Sequence, residues 1–142
     1  MLKNKKINID FKEILKNKGF KNTPTRMSIL EVFLNNNKPL SADFIYKKLQ
    51  NSINEATVYR TLSSFEKSGI LKRVDLRKDS VCFELNNDHH HHIVCIKCGT
   101  IEDFKENKEI EKLLDQVVEK SVKFKNIKEH SLELFGFCKV CN

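Results

Sequence analysis

The segment 88–99, DHHHHIVCIKCG, places four consecutive histidines just before a Cys-x-x-Cys turn. A second pair of cysteines with the same spacing follows at 138–141. Two such pairs supply four thiolates, the ligand set of a closed tetrahedral Zn²⁺ site. The sequence therefore predicts a structural zinc site formed by four residues, Cys95, Cys98, Cys138 and Cys141. Because four sulfurs fill that site, the histidines are left for a second metal, and this combination of sites indicates a metal sensor.

Disulfide bonds and unligated thiols are the alternative interpretations of the cysteines. The paired spacing favours metal, and so does a reducing compartment, in which disulfides are rare. No segment has the length and hydrophobicity of a membrane span, and residues 7–20 are too charged for a signal peptide. We therefore expect a cytoplasmic protein with no membrane partner.

The positive charge of the chain is unevenly distributed. Of the 142 residues, those at 1–85 carry 17 Lys and Arg against 9 Asp and Glu, whereas residues 86–142 carry 9 against 10. An excess of cations confined to one part predicts binding to a polyanion, most simply double-stranded DNA. A merely lysine-rich soluble domain would explain the number of lysines but not this asymmetry.

Residues 1–85 have the pattern of a winged helix-turn-helix. Apolar spacing and capping residues predict helices near 10–18, 24–36, 41–49 and 55–68. Two β-like runs between residues 70 and 85, separated by a basic tip, predict a hairpin wing. A hairpin that follows a helix of this kind is typical of DNA-binding domains.

The fourth predicted helix has two different faces. One carries an apolar stripe at i, i+4 and i+7, and the other shows three candidate DNA-contacting residues, Thr57, Tyr59 and Arg60. Arginine can bond guanine or clamp phosphate, and threonine or tyrosine can contact thymine methyl groups. The alternative is an ordinary solvated face, but the basic asymmetry favours DNA contact.

The second part of the chain alternates differently. Strand-like runs at 92–96, 101–104 and 130–137 surround one amphipathic helix between residues 110 and 118. So small a unit buries little surface alone, so it requires zinc, a partner subunit or both. We therefore predict an α+β fold with an N-terminal winged helix-turn-helix at 1–85, a hinge at 86–88, and a small C-terminal α/β dimerisation domain at 89–142.

The chain from about residue 10 to 141 resembles the ferric uptake regulator family of bacterial metal-dependent repressors. The segments that carry the resemblance are EATVYRTL at 55–62, FEL at 83–85, HHHHIVCIKCG at 89–99, EHSLELFG at 129–136 and CKVC at 138–141. The resemblance implies a homodimer that represses transcription by binding an AT-rich palindromic operator when a regulatory metal is bound.

The resemblance also implies further site residues. A regulatory metal site would be formed by Glu84, His90, His92 and Asp103. A third site in the dimerisation domain would be formed by His89, His91, Glu111 and His130, although Glu109 lies close to Glu111 in sequence. Lys21 would reach the minor groove and Arg26 a phosphate. One departure is clear: many members supply another histidine where this chain has Pro39, and no histidine precedes His89.

The identity of the regulatory metal is only partly indicated. Imidazole and carboxylate ligands suit Fe²⁺, Mn²⁺ or Zn²⁺. By resemblance, zinc-uptake regulators tend to have cysteine where Glu84 stands, which favours Fe²⁺ or Mn²⁺. Peroxide sensors of the family carry aspartate at the position of Asp103, so a peroxide-sensing repressor is an alternative. Cys82 is either a core residue or a soft ligand that would favour Zn²⁺.

Two readings from other classes are weaker. A metal-dependent hydrolase would need an open coordination position and a metal-bound hydroxide. The sequence shows no nucleophile paired with a base and no phosphate-binding glycine loop, so we expect no enzyme. A zinc-ribbon interaction module without regulation would bind DNA regardless of the regulatory metal.

Overall fold

The computed structural model describes residues 9–77, 79–105 and 107–142, and it divides the chain into two units between Asn86 and Asn87. The first unit holds α1 (Phe11–Asn17), α2 (Pro24–Leu34), β1 (Leu40–Ser41), α3 (Ala42–Leu49), α4 (Glu55–Ser68), β2 (Leu71–Val74) and β3 (Cys82–Leu85). The second holds β4 (His90–Cys95), β5 (Ile101–Lys105), α5 (Lys108–Glu119) and β6 (Glu133–Gly136). Among the described residues, no helix combines the length and hydrophobicity needed to cross a bilayer.

The helices of the first unit begin where the sequence provides side-chain caps. Thr23 and Ser41 accept bonds from the amides of the third residue beyond them, at 3.4 and 3.2 Å. Asn54 caps α4 in the same way, with its Oδ1 2.9 Å from the amide of Thr57. Gly69 ends α4 with φ 78°, a backbone conformation that glycine adopts without strain. The boundaries of α4 are those predicted.

The core of the first unit is apolar and fully enclosed. Val58, Leu62 and Phe65 of α4 are at most 1% exposed and pack with residues of α1, α2 and α3. The ring of Phe65 meets that of Phe20 edge to face, with 5.5 Å between centroids. The apolar stripe therefore fixes α4 in the unit and turns its polar face outward.

An antiparallel sheet in the order β1-β3-β2 forms the wing. The hairpin of β2 and β3 was predicted, whereas β1 was not, because two residues carry no periodic signal. Arg73 on β2 donates two bonds to the Glu66 carboxylate on α4, at 2.8 and 3.0 Å. This bidentate pair ties the wing to α4. The wing tip includes Lys78, which lies outside the described residues.

The second unit has a sheet in the order β5-β4-β6, with β4 antiparallel to β5 and parallel to β6. Strand β4 begins at His90, two residues earlier than predicted, and β6 is shorter than the predicted run at 130–137. Successive side chains of β4 therefore point to opposite faces of the sheet from His90 onward. This alternation positions the histidines.

Helix α5 has the predicted apolar spacing, but none of its residues is fully buried. Leu113 and Val117 are 61% and 64% exposed. A core-facing helix would hide such side chains. The apolar stripe of α5 is therefore not buried against the rest of the second unit.

Candidate metal centres and nucleic-acid interface

The four predicted zinc ligands lie together at one end of the second sheet. Because β4 and β6 run parallel, Cys95 at the end of β4 comes close to Cys138, which follows β6. All four Sγ atoms lie within 4.8 Å of one another, and those of Cys98 and Cys138 are 3.7 Å apart. A tetrahedron with Zn–S bonds of about 2.3 Å has sulfurs about 3.8 Å apart. The arrangement therefore fits Zn²⁺, and all five cysteines are free of disulfides.

The thiols of this cluster differ in acidity. Backbone amides, first that of Cys98 and then that of Cys138, lower the pKa of Cys95 to about 6. Hydrogen bonds to Cys138 and Cys98 raise the pKa of Cys141 to about 12. The pKa of Cys98 is also lowered, first by its hydrogen bond to Thr100, so ionisation is favoured at Cys95 and Cys98 and opposed at Cys141. A divalent cation with an affinity for sulfur would relieve that conflict.

A second cluster contains all four residues predicted for the third metal site. The Glu111 Oε1 atom lies 3.4, 3.3 and 3.1 Å from the Nε2 atoms of His89, His91 and His130. The Nε2 atoms of His89 and His130 are 3.0 Å apart. Bonds of about 2.0–2.2 Å to one cation would give ligand separations of about this size. The donor set therefore fits a divalent metal.

Glu111, and not Glu109, supplies the carboxylate of this cluster. Glu109 lies in the first turn of α5, where its amide is bonded by the Asn107 cap at 2.9 Å. Desolvation opposes ionisation of Glu111, but hydrogen bonds from His91 and His130 and the charges of the nearby imidazoles lower its pKa overall. Glu111 therefore stays ionised beside the histidines.

The other face of β4 carries His90 and His92, whose ring centroids are 4.9 Å apart. Asp103, directly opposite His92 on β5, places its Oδ1 3.6 Å from the His92 Nε2 atom. The Nδ1 atom of His90 lies 2.7 Å from the Asp88 carbonyl oxygen. Because a carbonyl only accepts, Nδ1 carries the proton and Nε2 remains a metal donor. No sequence pattern predicts this contact of Asp88.

Glu84, the remaining predicted regulatory ligand, belongs to the first unit. It lies on β3, is 8% exposed, and pairs across the hairpin with the Lys72 Nζ atom at 3.0 Å. Its participation with the histidines stays a prediction. Cys82, two residues earlier on the same strand, is buried, and its Sγ lies 3.9 Å from the Ser80 carbonyl oxygen.

The predicted DNA-contacting residues of α4 lie on its outward face. Arg60 is exposed and bonds weakly to Thr57, with 3.5 Å between Nη2 and Oγ1. Tyr59 is 49% exposed, and its hydroxyl donates to Asp43 Oδ1 at 3.1 Å. Neither the sequence pattern nor the resemblance identified Asp43.

Lys21 and Arg26 lie around the start of α2. Lys21 is exposed, whereas Arg26 donates from Nη1 to the Lys21 carbonyl oxygen at 2.7 Å and lies over the Phe20 ring. Arg26 therefore also orders the segment before α2. A guanidinium has five N–H donors, so this bond leaves others for a phosphate.

Comparison with known proteins agrees with this architecture. The profile of the "Ferric uptake regulator family" matches residues 17–135. The ferric uptake regulation protein of Neisseria meningitidis serogroup A is 39% identical over 132 residues, covering 89% of this chain and 90% of that protein.

Two solved structures have the same fold. The ferric uptake regulator of Francisella tularensis, solved with iron, superposes with a TM-score of 0.75 at 41% identity, covering 87% of this chain and 95% of its own. The peroxide stress regulator of Campylobacter jejuni superposes with a TM-score of 0.70 at 25% identity, covering 94% and 100%. On the extent of the family match and the identity to its members, the chain belongs to the ferric uptake regulator family of metal-responsive transcriptional repressors.

Proposed function

We propose that this protein represses transcription as a homodimer that binds an AT-rich palindromic operator when a regulatory divalent metal, Fe²⁺ or Mn²⁺ rather than Zn²⁺, is bound. The observation that carries the proposal is the histidine run at 89–92, whose last three members lie on β4. Alternate imidazoles contribute to two separate donor clusters, and a four-cysteine cluster suited to structural zinc lies at the end of the same strand. A chain with one closed site and further His/carboxylate sites is equipped to sense a metal.

In this proposal the two units have different functions. Residues 1–85 form the DNA-binding domain, residues 86–88 the hinge, and residues 89–142 the dimerisation and metal-binding domain. The charge distribution supports this division, since the first part carries 17 cationic against 9 anionic side chains. Polar residues on the outward face of α4 would read the major groove, while Lys21 and Arg26 would contact the backbone. Such a repressor acts where the chromosome is, in the cytoplasm.

The regulatory site would comprise His90, His92 and Asp103 from the second unit and Glu84 from the first. Metal binding would then restrain the hinge and so favour one arrangement of the two recognition helices. Pro39 cannot provide the additional histidine that many relatives have. A water ligand would complete the coordination.

Hard carboxylate and borderline imidazole ligands favour Fe²⁺ or Mn²⁺. The 41% identity to a regulator solved with iron supports the same preference. Peroxide sensing is the second candidate, because Asp103 lies beside His92 and the fold is shared with a peroxide stress regulator. The lower identity to that regulator, 25%, makes it the weaker candidate.

A second copy of this chain is the proposed partner for the apolar face of α5. The segment after α5 adds Val122, 97% exposed, and Phe124, 70% exposed. Exposed apolar side chains concentrated on one helix and its continuation are typical of a protein interface. A dimer would bury them and place two recognition helices on the two half-sites of a palindrome.

The proposal is tested by measuring the affinity of the zinc-loaded protein for an AT-rich inverted repeat, without further metal and with anaerobic Fe²⁺, Mn²⁺ or added Zn²⁺. We expect the regulatory metal to tighten binding by about tenfold or more, which is roughly 1.4 kcal/mol of coupling. His90→Ala should abolish the gain. The matched variant His89→Ala, changed in the cluster of Glu111 and His130, should keep most of it.

Equal affinity under every metal condition would contradict metal-responsive repression. A gain that survives in His90→Ala but is lost in His89→Ala would move the regulatory role to the other cluster. Suppose that Fe²⁺ activates DNA binding and that hydrogen peroxide then abolishes this binding permanently. The protein would then be a peroxide-sensing repressor and not a metal sensor.

A further inference from the structure

The hydroxyl of Tyr59 already donates its proton to a hydrogen bond within the protein. Tyr59 lies on the outward face of α4, and its hydroxyl is 3.1 Å from the Asp43 Oδ1 atom on α3. An ionised carboxylate can only accept hydrogen bonds, and a phenol has one proton to give. The proton therefore points at Asp43. The remaining lone pairs of the phenolic oxygen are all that the hydroxyl can offer to a third group.

The charge of Asp43 reinforces this arrangement. The hydrogen bond to Asp43 is the main cause that raises the pKa of Tyr59, followed by desolvation and by the charges of Asp43 and Glu55. Tyr59 thus remains protonated, and its proton remains shared with Asp43. The contact also restrains an aromatic side chain that is otherwise half exposed.

Asp43 is an unexpected residue on a surface proposed to face DNA. It is an exposed carboxylate in the first turn of α3, in a unit with a strong excess of positive charge. A carboxylate near phosphates weakens sequence-independent binding. The Ser41 hydroxyl already caps α3, so Asp43 is not needed to begin that helix. Its bond to Tyr59 gives it a different role.

We propose that Asp43 is a specificity-determining residue that fixes the ring of Tyr59 and makes its hydroxyl an acceptor toward the DNA bases. This proposal rests on the proposed insertion of α4 into the major groove. In that groove adenine and cytosine present amino donors and thymine a methyl group, whereas guanine presents only acceptors. A tyrosine held in this way contacts thymine methyls through its ring and accepts from adenine N6, but it has no donor for guanine or phosphate.

The experiment uses the full-length, metal-loaded protein and fluorescence anisotropy with two sets of duplexes. One is the AT-rich inverted repeat, and the other carries single A·T to G·C exchanges in each half-site. The variants are Asp43→Ala, Asp43→Asn, Tyr59→Phe and the double variant Asp43→Ala/Tyr59→Phe. Glu55→Ala is the matched control, because it removes a first-turn carboxylate from α4 that makes no hydrogen bond to Tyr59.

Asp43→Ala should reduce discrimination against G·C at one position per half-site by about five- to tenfold, the size of one hydrogen bond. Asp43→Asn should retain most of it, since the amide oxygen still accepts. The double variant should be no worse than Tyr59→Phe alone, because the two residues act as one unit. Glu55→Ala should change affinity for all duplexes by one common factor.

The proposal is overturned if Asp43→Ala behaves like Glu55→Ala, if the effects of Asp43→Ala and Tyr59→Phe simply add, or if Asp43→Asn is as damaging as Asp43→Ala. An NMR titration of Tyr59 provides an independent readout: its pKa should fall in Asp43→Ala, and an unchanged pKa would contradict the contact between Tyr59 and Asp43. A wild-type protein that does not distinguish the inverted repeat from random DNA would instead refute the proposed function.

Discussion

At the scale of single residues, a step of one position along β4 decides which cluster a histidine joins. The sequence predicted this division because side chains alternate along a strand, and His89 and His91 do lie with Glu111 and His130. It did not predict the hydrogen bonds of Asp88 to His90 or of Asp43 to Tyr59. Both arise from the way the folded chain brings each side chain to its partner, and no sequence pattern marks either contact.

Glu111→Gln should weaken divalent metal binding at the cluster of His89, His91 and His130 by at least about tenfold, because the neutral amide removes the anionic ligand at its centre. Glu109→Gln is the matched control and should bind as the wild type does. Isothermal titration of zinc-loaded, otherwise metal-free protein measures both. Equal affinities of the two variants would contradict the assignment of Glu111.

Cys138→Ala should release the structural zinc and unfold the second unit. With three sulfurs left, the site loses both its tetrahedral closure and the link between β4 and the segment after β6. Metal analysis by mass spectrometry should find one zinc fewer per chain, and circular dichroism should show lost structure. Cys82→Ala removes a thiol outside the cluster and should keep the zinc, so zinc loss in this variant would argue against the four-cysteine assignment.

At the scale of elements, the sequence predicts well those helices that are both capped and packed. Thr23, Ser41 and Gly69 mark helix ends in the sequence as they do in the structure, and the stripe of α4 is buried as its spacing requires. Strand β1 was missed because its pairing with β3 comes from tertiary structure. The apolar spacing of α5 was recognised, but periodicity cannot reveal which surface will cover a stripe.

Phe65→Ala should destabilise the first unit by about 3–5 kcal/mol, the usual loss for a buried aromatic residue. The cavity would lie beneath α4 and leave its outward face intact at low temperature. Urea unfolding followed by circular dichroism measures the loss. Lys67→Ala, at an exposed position two residues later, should change the unfolding free energy by no more than about 0.5 kcal/mol, and a similar loss in both variants would contradict the packing described.

At the scale of the whole molecule, charge and apolar surface are separated along the chain. The cationic excess lies in residues 1–85, whereas an exposed apolar helix face lies in the second unit. The uneven charge is evident from the sequence alone, because it requires only a count of the charged residues in each part. The exposed apolar face of α5 is seen only in the structure. An interface helix and a core helix can have the same composition, and the exposure of their apolar side chains distinguishes them.

The double variant Leu113→Gln/Val117→Gln should convert the proposed dimer to a monomer, because it replaces two exposed apolar side chains on one face of α5 with polar ones. Asp115→Gln is the control, since position 115 lies about 200° around the helix from Leu113. Light scattering after size-exclusion chromatography gives the mass of each variant. An intact dimer in the double variant would place the interface elsewhere.

The parallel pairing of β4 and β6 also has a consequence for how the chain tolerates change. The two C-x-x-C turns are 40 residues apart in sequence, yet their sulfurs come within 3.7 Å. A zinc ion there acts as a cross-link, and a cross-link around a loop of this length disfavours the unfolded chain by about 4 kcal/mol. That contribution changes by only about 0.6 kcal/mol when the loop length doubles. The segment between α5 and β6 is therefore free to lengthen or shorten over evolution while the zinc continues to hold the unit together.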